Sequence, residues 1–482
     1  MDMNMDINMD INKDINKDMN MDIVSNVYDD DETELLSQGG YGCVYYPAIR
    51  CNKCETGKEC KTKFNKKKYV SKIQVLDNKS SEYSVSKLIT QIPNFDIYFA
   101  PIVNLCNIDL SRINEEHVDT YGEKCGIIQK NKERKKQFVM LHIPYIKNGD
   151  FNNIIRKCLD NKTIFLFFIN TYRHIIVALK LLLNSNIIHY DLKMENILYD
   201  NEKKVPIIID FGLSLDFGNI IKKLKLKDGS LFIKNKDSKN KNVKYNKYKK
   251  GIIDNDIRSK LRKLFYVFAP DYYLWSLEIT FISFLLHGNN EDESYYNSIE
   301  RLNNGTYILT DDDVFKICHK YIYNNKGFAG FDDKFLSNYY KLSVKFYQQF
   351  VGLQADEIIY NLIQYWWSWD NYSIGIMYLK LLLYTFNTNT NKTLNYLYEI
   401  ILFTLHPNPN HRYLLTEIEL LLYDIYYQGD TLQEIRDIFY NVNSSQYIES
   451  NIKESDNEME KSKQTHLDKM KTTKFNVDVN KL

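Results

Sequence analysis

The pattern of hydrophobic residues along this chain changes near residue 150. Before that point, short runs rich in β-branched and aromatic residues are interrupted by glycines, which is typical of strands. The predicted strands lie within 33–49, 67–77 and 136–146, and a helix is predicted at 81–92. After residue 150, apolar residues recur at helical spacing. These predicted helices are 164–186, 372–386 and 393–405. The pattern predicts an α+β fold, a small antiparallel β-rich half followed by a larger helical half.

Both ends of the chain are too polar to bury a core. Residues 1–28 are dominated by a short repeat of Asp, Asn and Met or Ile, and residues 443–482 are charged with few aromatic residues. We therefore predict two disordered tails. Between them, the strand-rich segment is 31–146 and the helical segment is 147–442. Two insertions are predicted in the helical segment, near 222–250 and 280–360.

Composition restricts the partners that the chain needs. The 482 residues include 63 Lys+Arg and 62 Asp+Glu, so the net charge does not demand nucleic acid or an acidic membrane. No segment reaches the roughly 18–20 uncharged apolar residues that span a bilayer. The start of the chain lacks the basic and apolar regions of a signal peptide. We expect a cytoplasmic protein with no nucleic-acid partner and no membrane span.

Cysteines and lysines form two local clusters whose roles stay open. The 8 cysteines are expected to be reduced in the cytoplasm. Cys51, Cys54 and Cys60 are either free thiols of a surface loop or zinc ligands, with Cys43 as the nearest fourth candidate. The lysine-dense run in 222–250 is either a solvated loop or a surface for an acidic partner.

A glycine-rich turn is the first candidate for chemistry. Its glycines, including Gly39 and Gly42, would let backbone N–H groups approach a phosphate. The candidate phosphate-binding residues are Ser37, Gln38, Gly39, Gly40, Tyr41, Gly42, Cys43 and Val44. Alone, such glycines can simply serve a hairpin. Lys72 on the next predicted strand and Glu82 at the start of the predicted helix follow in the order that a phosphate-binding lysine and its carboxylate partner require.

The stretch HYDLKMEN at 189–196 is similar to the catalytic-loop pattern H-R-D-L-K-x-x-N, and DFG follows at 210–212. The chain thus resembles the eukaryotic-type serine/threonine protein kinases, which implies a bilobal fold, ATP, Mg²⁺ and a protein substrate. The resemblance implies that Asp191 accepts the proton of the substrate hydroxyl and that Lys193 neutralises the transferring phosphoryl group. It also implies that Asn196 and Asp210 hold Mg²⁺.

Further motifs extend the resemblance. APDYYLWSLE at 269–278 is similar to the end of an activation segment, which implies that Asp271 pairs with Arg412 of NPNHR. Asp370 and Gly375 resemble the helix that braces the catalytic loop. The same alignment assigns Ile143 as gatekeeper.

The adenine site is inferred from the same alignment. The Pro144 carbonyl and the Ile146 N–H would face adenine. Val44, Val70 and Leu198 would sandwich the ring, although plain core packing would bury these three side chains equally well.

Four residues depart from the family pattern. Ser37 replaces the first glycine of the turn, and Tyr190 replaces the arginine of H-R-D. Asp271 is shorter than the usual glutamate of Ala-Pro-Glu, and Ser86 stands where an apolar residue normally packs against Phe211. With the composition, these departures resemble the divergent kinases of large DNA viruses, which would place the protein in host cytoplasm or virion. Two alternatives remain: a pseudokinase scaffold that binds nucleotide or a partner without turnover, and a small-molecule phosphotransferase.

Overall fold

The structure is a computed structural model that describes most of the chain between residues 33 and 427. The described ranges are 33–38, 42–49, 65–75, 81–108, 125–128, 138–147, 151, 164–234, 245–288, 299–385 and 392–427. Both predicted tails lie outside these ranges, as do Gly39, Gly40 and Tyr41. Cys51, Cys54 and Cys60 are outside them too.

The N-terminal half contains a five-stranded antiparallel sheet and helix α1, which confirms the predicted α+β fold. In chain order the elements are β1 (Glu34–Gln38), β2 (Gly42–Tyr46), β3 (Tyr69–Val75), α1 (Ser81–Ile89), β4 (Asn104–Ile108) and β5 (Phe138–Pro144). The strand order across the sheet is β1-β2-β3-β5-β4. Strand β4 was not predicted, because its polar asparagines break the apolar run.

The pairing register sorts the side chains of the sheet onto two faces. Val44 lies opposite Lys72, and Val70 lies opposite Ile143, so these residues share one face. Cys43 lies opposite Ile73 on the other face. Gly42 is required by the close approach of β2 to β3, since a Cβ there would lie 2.7 Å from the Ile73 carbonyl oxygen.

A disulfide on the sheet face opposite Lys72 corrects the expectation that all the cysteines are reduced. Cys43 forms a disulfide with Cys125. Both residues are fully buried, in a cluster with Ile73 and Met140, and their Cα atoms are 6.1 Å apart, within bridging range. Cys106 also belongs to a disulfide. Sequence separation concealed the first pair, because its members are 82 positions apart.

The C-terminal half is mainly helical. Two small ribbons come first: β6 (Ile187–Ile188) pairs with β9 (Leu215–Asp216), and β7 (Ile197–Asp200) pairs with β8 (Val205–Ile208). The described helices are α2 (Ile164–Asn184), α3 (Gly218–Leu224), α4 (Leu231–Lys234), α5 (Asn255–Leu264), α6 (Leu277–His287), α7 (Ile299–Asn303), α8 (Asp311–Tyr323), α9 (Asp333–Tyr347), α10 (Ala355–Ile363), α11 (Trp369–Thr385), α12 (Lys392–Thr404) and α13 (Leu415–Tyr427).

Helix α2 is the central helix of this half. It packs against α11 and α13, and its buried residues include Phe165, Phe168 and Tyr172. At 21 residues it is long and apolar enough to cross a membrane by length and composition, although the sequence suggested that no segment qualifies. Its burial fits a core helix equally well, so it does not define a clear membrane span.

Helices α11 and α12 approach closely at one glycine. A Cβ at Gly375 would lie 2.2 Å from the Thr404 hydroxyl oxygen. Glycine therefore allows α11 to lie deep in the core, and the first turn of this helix carries Asp370. The close packing fixes the position from which that carboxylate meets the catalytic loop.

Candidate active site

Lys72 connects the two halves of the protein. From the inner face of β3, its Nζ lies 3.2 Å from Glu82 Oε1 on α1 and 3.2 Å from Asp210 Oδ1, just beyond β8. The Lys72 side chain is 13% exposed, and that of Glu82 is 6% exposed. A flexible ammonium group is thus aimed by two carboxylates at the junction between the halves.

The three charges shift one another's pKa values. Burial lowers the pKa of Lys72, but the carboxylates of Glu82 and Asp210 outweigh it and the net pKa is raised. Partial burial raises the pKa of Asp210, whose side chain stays 44% exposed, but Lys72 outweighs this effect and the net pKa is lowered. For Glu82, burial dominates over the attraction of Lys72, and its pKa is raised. Lys72 and Asp210 are therefore charged at neutral pH.

The catalytic loop brings Asp191, Lys193 and Asn196 together. Lys193 Nζ lies 3.0 Å from Asp191 Oδ2. Asn196 Nδ2 donates to the same oxygen at 3.0 Å and to the Asp191 carbonyl at 2.7 Å. One carboxylate oxygen of Asp191 thus receives both loop side chains, which orients the carboxylate.

A residue that the sequence did not single out binds the other carboxylate oxygen. The Tyr272 hydroxyl donates a hydrogen bond of 2.7 Å to Asp191 Oδ1. Tyr272 follows the Ala-Pro-Asp tripeptide, and its sequence context carried no signal of this contact. The only available hint was its position in a segment that resembles the end of an activation segment.

Asp370 braces the backbone of the catalytic loop as the resemblance predicts. Its Oδ2 accepts from the His189 N–H at 2.7 Å, and its Oδ1 accepts from the Tyr190 N–H at 2.9 Å. Tyr190 has a φ of 70° and Asp210 a φ of 60°, values that are strained for residues other than glycine. Such conformations persist because surrounding contacts, here those of Asp370 and Lys72, hold them.

Asn196 and Asp210 offer oxygen ligands suited to Mg²⁺. The Asn196 amide nitrogen is bound to Asp191, which leaves the amide oxygen as its acceptor, and the Asp210 side chain is 44% exposed. The Ile209 N–H donates to the Asn196 carbonyl at 3.0 Å, so the two ligand residues lie on adjacent backbone. A carboxylate and an amide oxygen form a hard donor set that fits Mg²⁺.

Phe211 links this site to the N-terminal half. Its buried ring contacts the His189 ring at 5.1 Å and the Phe99 ring at 6.1 Å between centroids. Ser86 is also fully buried, and its hydroxyl accepts from the Ile102 N–H at 3.1 Å. The unexpected serine therefore anchors backbone, while Phe99 supplies an apolar contact to Phe211.

The predicted adenine-binding residues lie around the junction of the halves. Val44 and Val70 share the Lys72 face of the sheet, and Val70 is buried. Leu198 is half-buried on β7, and its neighbours in that strand point into the helical core. Pro144 ends β5, with Ile146 two residues beyond it, and both are half-buried.

The glycine-rich turn is only partly described. Ser37 and Gln38 end β1 and are exposed, while the Gln38 amide oxygen accepts from the Gly126 N–H at 3.3 Å. The Cys43 side chain faces away from Lys72 in its disulfide, so this residue can offer only its backbone to a nucleotide. In the described part of the chain, no group of three or more His, Cys, Asp or Glu could hold a metal ion.

The predicted partner of Arg412 is wrong. Its guanidinium pairs with Glu278, with Nη2–Oε1 and Nη1–Oε2 distances of 2.8 and 3.2 Å, and both side chains are fully buried. Asp271 is exposed and accepts instead from Asn324 Nδ2 at 3.2 Å. The acid that pairs with Arg412 is therefore Glu278, at the start of α6. The Ala-Pro-Asp tripeptide resembles the Ala-Pro-Glu of the family in sequence only.

Tyr190 is held by aromatic packing in place of the arginine of the family pattern. Its buried ring contacts Trp275 at 4.9 Å and Phe265 at 6.1 Å, and its carbonyl accepts from Trp275 Nε1 at 2.8 Å. Among the described residues, its hydroxyl has no hydrogen-bond partner. The segment that carries Trp275 is thus fixed to the catalytic loop by packing and one hydrogen bond.

Comparison with known proteins is consistent with this geometry. A search of characterised proteins finds no significant match. Residues 31–228 match the family model of the protein kinase domain, and Asp370, Glu278 and Arg412, which brace the site, lie beyond this range. The matched range contains Lys72, Glu82, the catalytic loop and Asp210, and it supports placing the chain with the protein kinases.

Proposed function

We propose that this protein transfers the γ-phosphoryl group of ATP to serine and threonine hydroxyls of proteins. The observation that carries the proposal is the double contact of Lys72, which joins Glu82 on α1 to Asp210 beside the catalytic loop. A lysine aimed in this way meets the α- and β-phosphates of ATP in kinases. The protein kinase match over 31–228 supports phosphoryl transfer to proteins generally.

Each polar side chain of the site has a role in this proposal. Asp191 accepts the proton of the acceptor hydroxyl as its oxygen attacks the γ-phosphorus. Lys193, 3.0 Å from Asp191, neutralises charge on the transferring group. Asn196 and Asp210 would hold Mg²⁺, which neutralises the phosphate charges when bound. The preference for Ser and Thr rests on Lys193, the residue type typical of that class.

A pseudokinase is the main alternative from another class. A scaffold without turnover would need neither Lys72 held by Glu82 and Asp210 nor Asp191 bound by Lys193 and Asn196. Among the described residues, the hydrogen bond from Tyr272 to the Asp191 carboxylate is the observation that fits such a scaffold, because it occupies the proposed catalytic group.

We also propose that the protein is a divergent kinase of the kind found in large DNA viruses and acts in the cytoplasm. Its unusual Tyr190 and Ser86 support the divergence.

The test is a transfer assay with the full chain, Mg²⁺ and ATP labelled on the γ-phosphate. Casein, histone and myelin basic protein would be offered as protein acceptors, beside small hydroxylated metabolites. We expect label on protein with the natural sequence and none with Asp191→Asn. Label on metabolites alone would indicate a small-molecule phosphotransferase, and ATP binding without transfer would indicate a scaffold.

A further inference from the structure

Asp191 has one carboxylate oxygen that the catalytic loop leaves for an acceptor. Oδ2 receives both Lys193 and Asn196, each at 3.0 Å. Oδ1 receives the Tyr272 hydroxyl at 2.7 Å. An acceptor hydroxyl must donate to the catalytic carboxylate at about 2.6–3.2 Å before transfer. The phenol of Tyr272 therefore makes the hydrogen bond that the acceptor needs.

The Tyr272 side chain is delivered to this position by an anchored segment. Backbone hydrogen bonds join the Tyr272 N–H to Ala269 and the Trp275 N–H to Tyr272, at 3.1 Å each, which forms consecutive turns. The Tyr272 ring packs edge-to-face against Trp275, with centroids 4.9 Å apart. Trp275 is in turn tied to Tyr190 through its indole N–H. These contacts pre-organise the phenol beside Asp191.

The hydrogen bond is of a strong type. It joins a hydroxyl to a carboxylate, and such charge-assisted bonds are about twice as strong as neutral ones. Burial and the neighbouring Asp191 carboxylate raise the pKa of Tyr272, so the phenol keeps its proton and remains a donor. The phenol occupies one of the two acceptor positions of Oδ1, so an incoming hydroxyl meets an oxygen whose hydrogen-bonding capacity is already partly used.

We propose that Tyr272 competes with the acceptor hydroxyl for Asp191 and so sets the affinity of this site for its protein substrate. The inference rests on the proposed function. Substrate binding displaces the phenol from Oδ1, and the ring moves out of the path to the carboxylate. The contact lowers affinity for every acceptor without acting as an on–off switch, and its release needs no modification of the chain.

Steady-state kinetics of the full chain on casein would test this competition. Tyr272→Phe removes the competing hydroxyl and keeps the ring. We expect the KM for casein to fall about tenfold, the size expected for loss of one hydrogen bond to a charged group. The KM for ATP should stay the same and kcat should not fall. Tyr273→Phe is the matched control, because that hydroxyl lies 3.5 Å from Lys380 Nζ instead, and its kinetics should match the natural protein.

Three results would overturn the inference and leave the proposed function intact. A lower kcat with an unchanged KM for casein would show that Tyr272 positions Asp191 for catalysis. Unchanged kinetics would show that the contact has no bearing on acceptor binding. Phosphotyrosine at 272, found by mass spectrometry after incubation with ATP, would show that Tyr272 is itself an acceptor. If neither protein transfers phosphate to any protein, the proposed function fails and the inference falls with it.

Discussion

Arg412 and Glu278 form a fully buried ion pair whose two N–O contacts are 2.8 and 3.2 Å long. The same guanidinium donates to the His406 carbonyl at 2.9 Å and to the Ser368 hydroxyl at 3.0 Å. It therefore joins the start of α6 to the loop before α13 and the turn before α11. Since α11 carries Asp370, the pair supports the helix that braces the catalytic loop.

Glu278→Ala is expected to destabilise the fold strongly. It leaves Arg412 as a buried charge without its carboxylate, which typically costs about 3–5 kcal/mol. Asp271→Ala is the matched control, because Asp271 is exposed and its loss should change stability by no more than about 0.5 kcal/mol. Urea unfolding followed by tryptophan fluorescence measures both. Equal midpoints for the two variants would contradict the assignment of Glu278 as the partner of Arg412.

Lys72→Met and Asp210→Asn are expected to abolish transfer for different reasons. Loss of Asp210 removes a magnesium ligand, so magnesium-dependent ATP binding should weaken. Loss of Lys72 should leave ATP bound but misaligned, because the proposed magnesium ligands Asn196 and Asp210 remain. Transfer rates and binding of a fluorescent ATP analogue with and without Mg²⁺ separate the two effects. Activity within tenfold of the natural protein in either variant would refute the roles given to these residues.

The packing of Tyr190 against Trp275 leads us to expect activity without prior phosphorylation. In kinases that need it, a cation captures the phosphate and orders the activation segment. Here a tyrosine stands in that position, and aromatic contacts already hold the segment. Protein made in bacteria and stripped with a broad phosphatase should show the same initial rate as untreated protein. A rate that recovers only after a lag would mean that another cation replaces the arginine.

Stability is expected to fall as the pH drops from about 6.5 to about 4. Burial, followed by the neighbouring His411, lowers the pKa of His406 to about 4. The unfolded state, with its ordinary pKa near 6.5, therefore binds the proton more readily, and the folded state loses stability below that pH. His406→Gln should flatten the dependence by up to about 1.4 kcal/mol per pH unit. Urea midpoints at several pH values would show it, and parallel curves would exclude His406 as a contributor.

The sequence predicted the elements whose signals are local. Runs rich in β-branched and aromatic residues marked β2, β3 and β5, and helical spacing marked α2, α11 and α12. The spacing within HYDLKMEN marked Asp191, Lys193 and Asn196, because a tight loop keeps neighbours in sequence close in space. Lys72, Glu82 and Asp210 were recognised by their order, and the sheet register then placed Lys72 toward both carboxylates.

Contacts that depend on the path of the chain were not predictable. Asp271 stands in a tripeptide similar to the expected Ala-Pro-Glu, yet the chain turns there and presents Glu278 to Arg412 from the start of a buried helix. The Cys43–Cys125 disulfide and the Tyr272–Asp191 hydrogen bond join residues 82 and 81 positions apart. Nothing in the local composition distinguishes these members from ordinary cysteines and tyrosines.

Phosphosite mapping tests the proposed activity most directly. The full chain would be incubated with Mg²⁺, ATP and casein, beside Asp191→Asn prepared in the same way, and the products analysed by mass spectrometry. We predict new phosphoserine and phosphothreonine with the natural sequence and none with the variant. Equal phosphorylation by both proteins, or none by either while ATP is bound, would contradict phosphoryl transfer through Asp191.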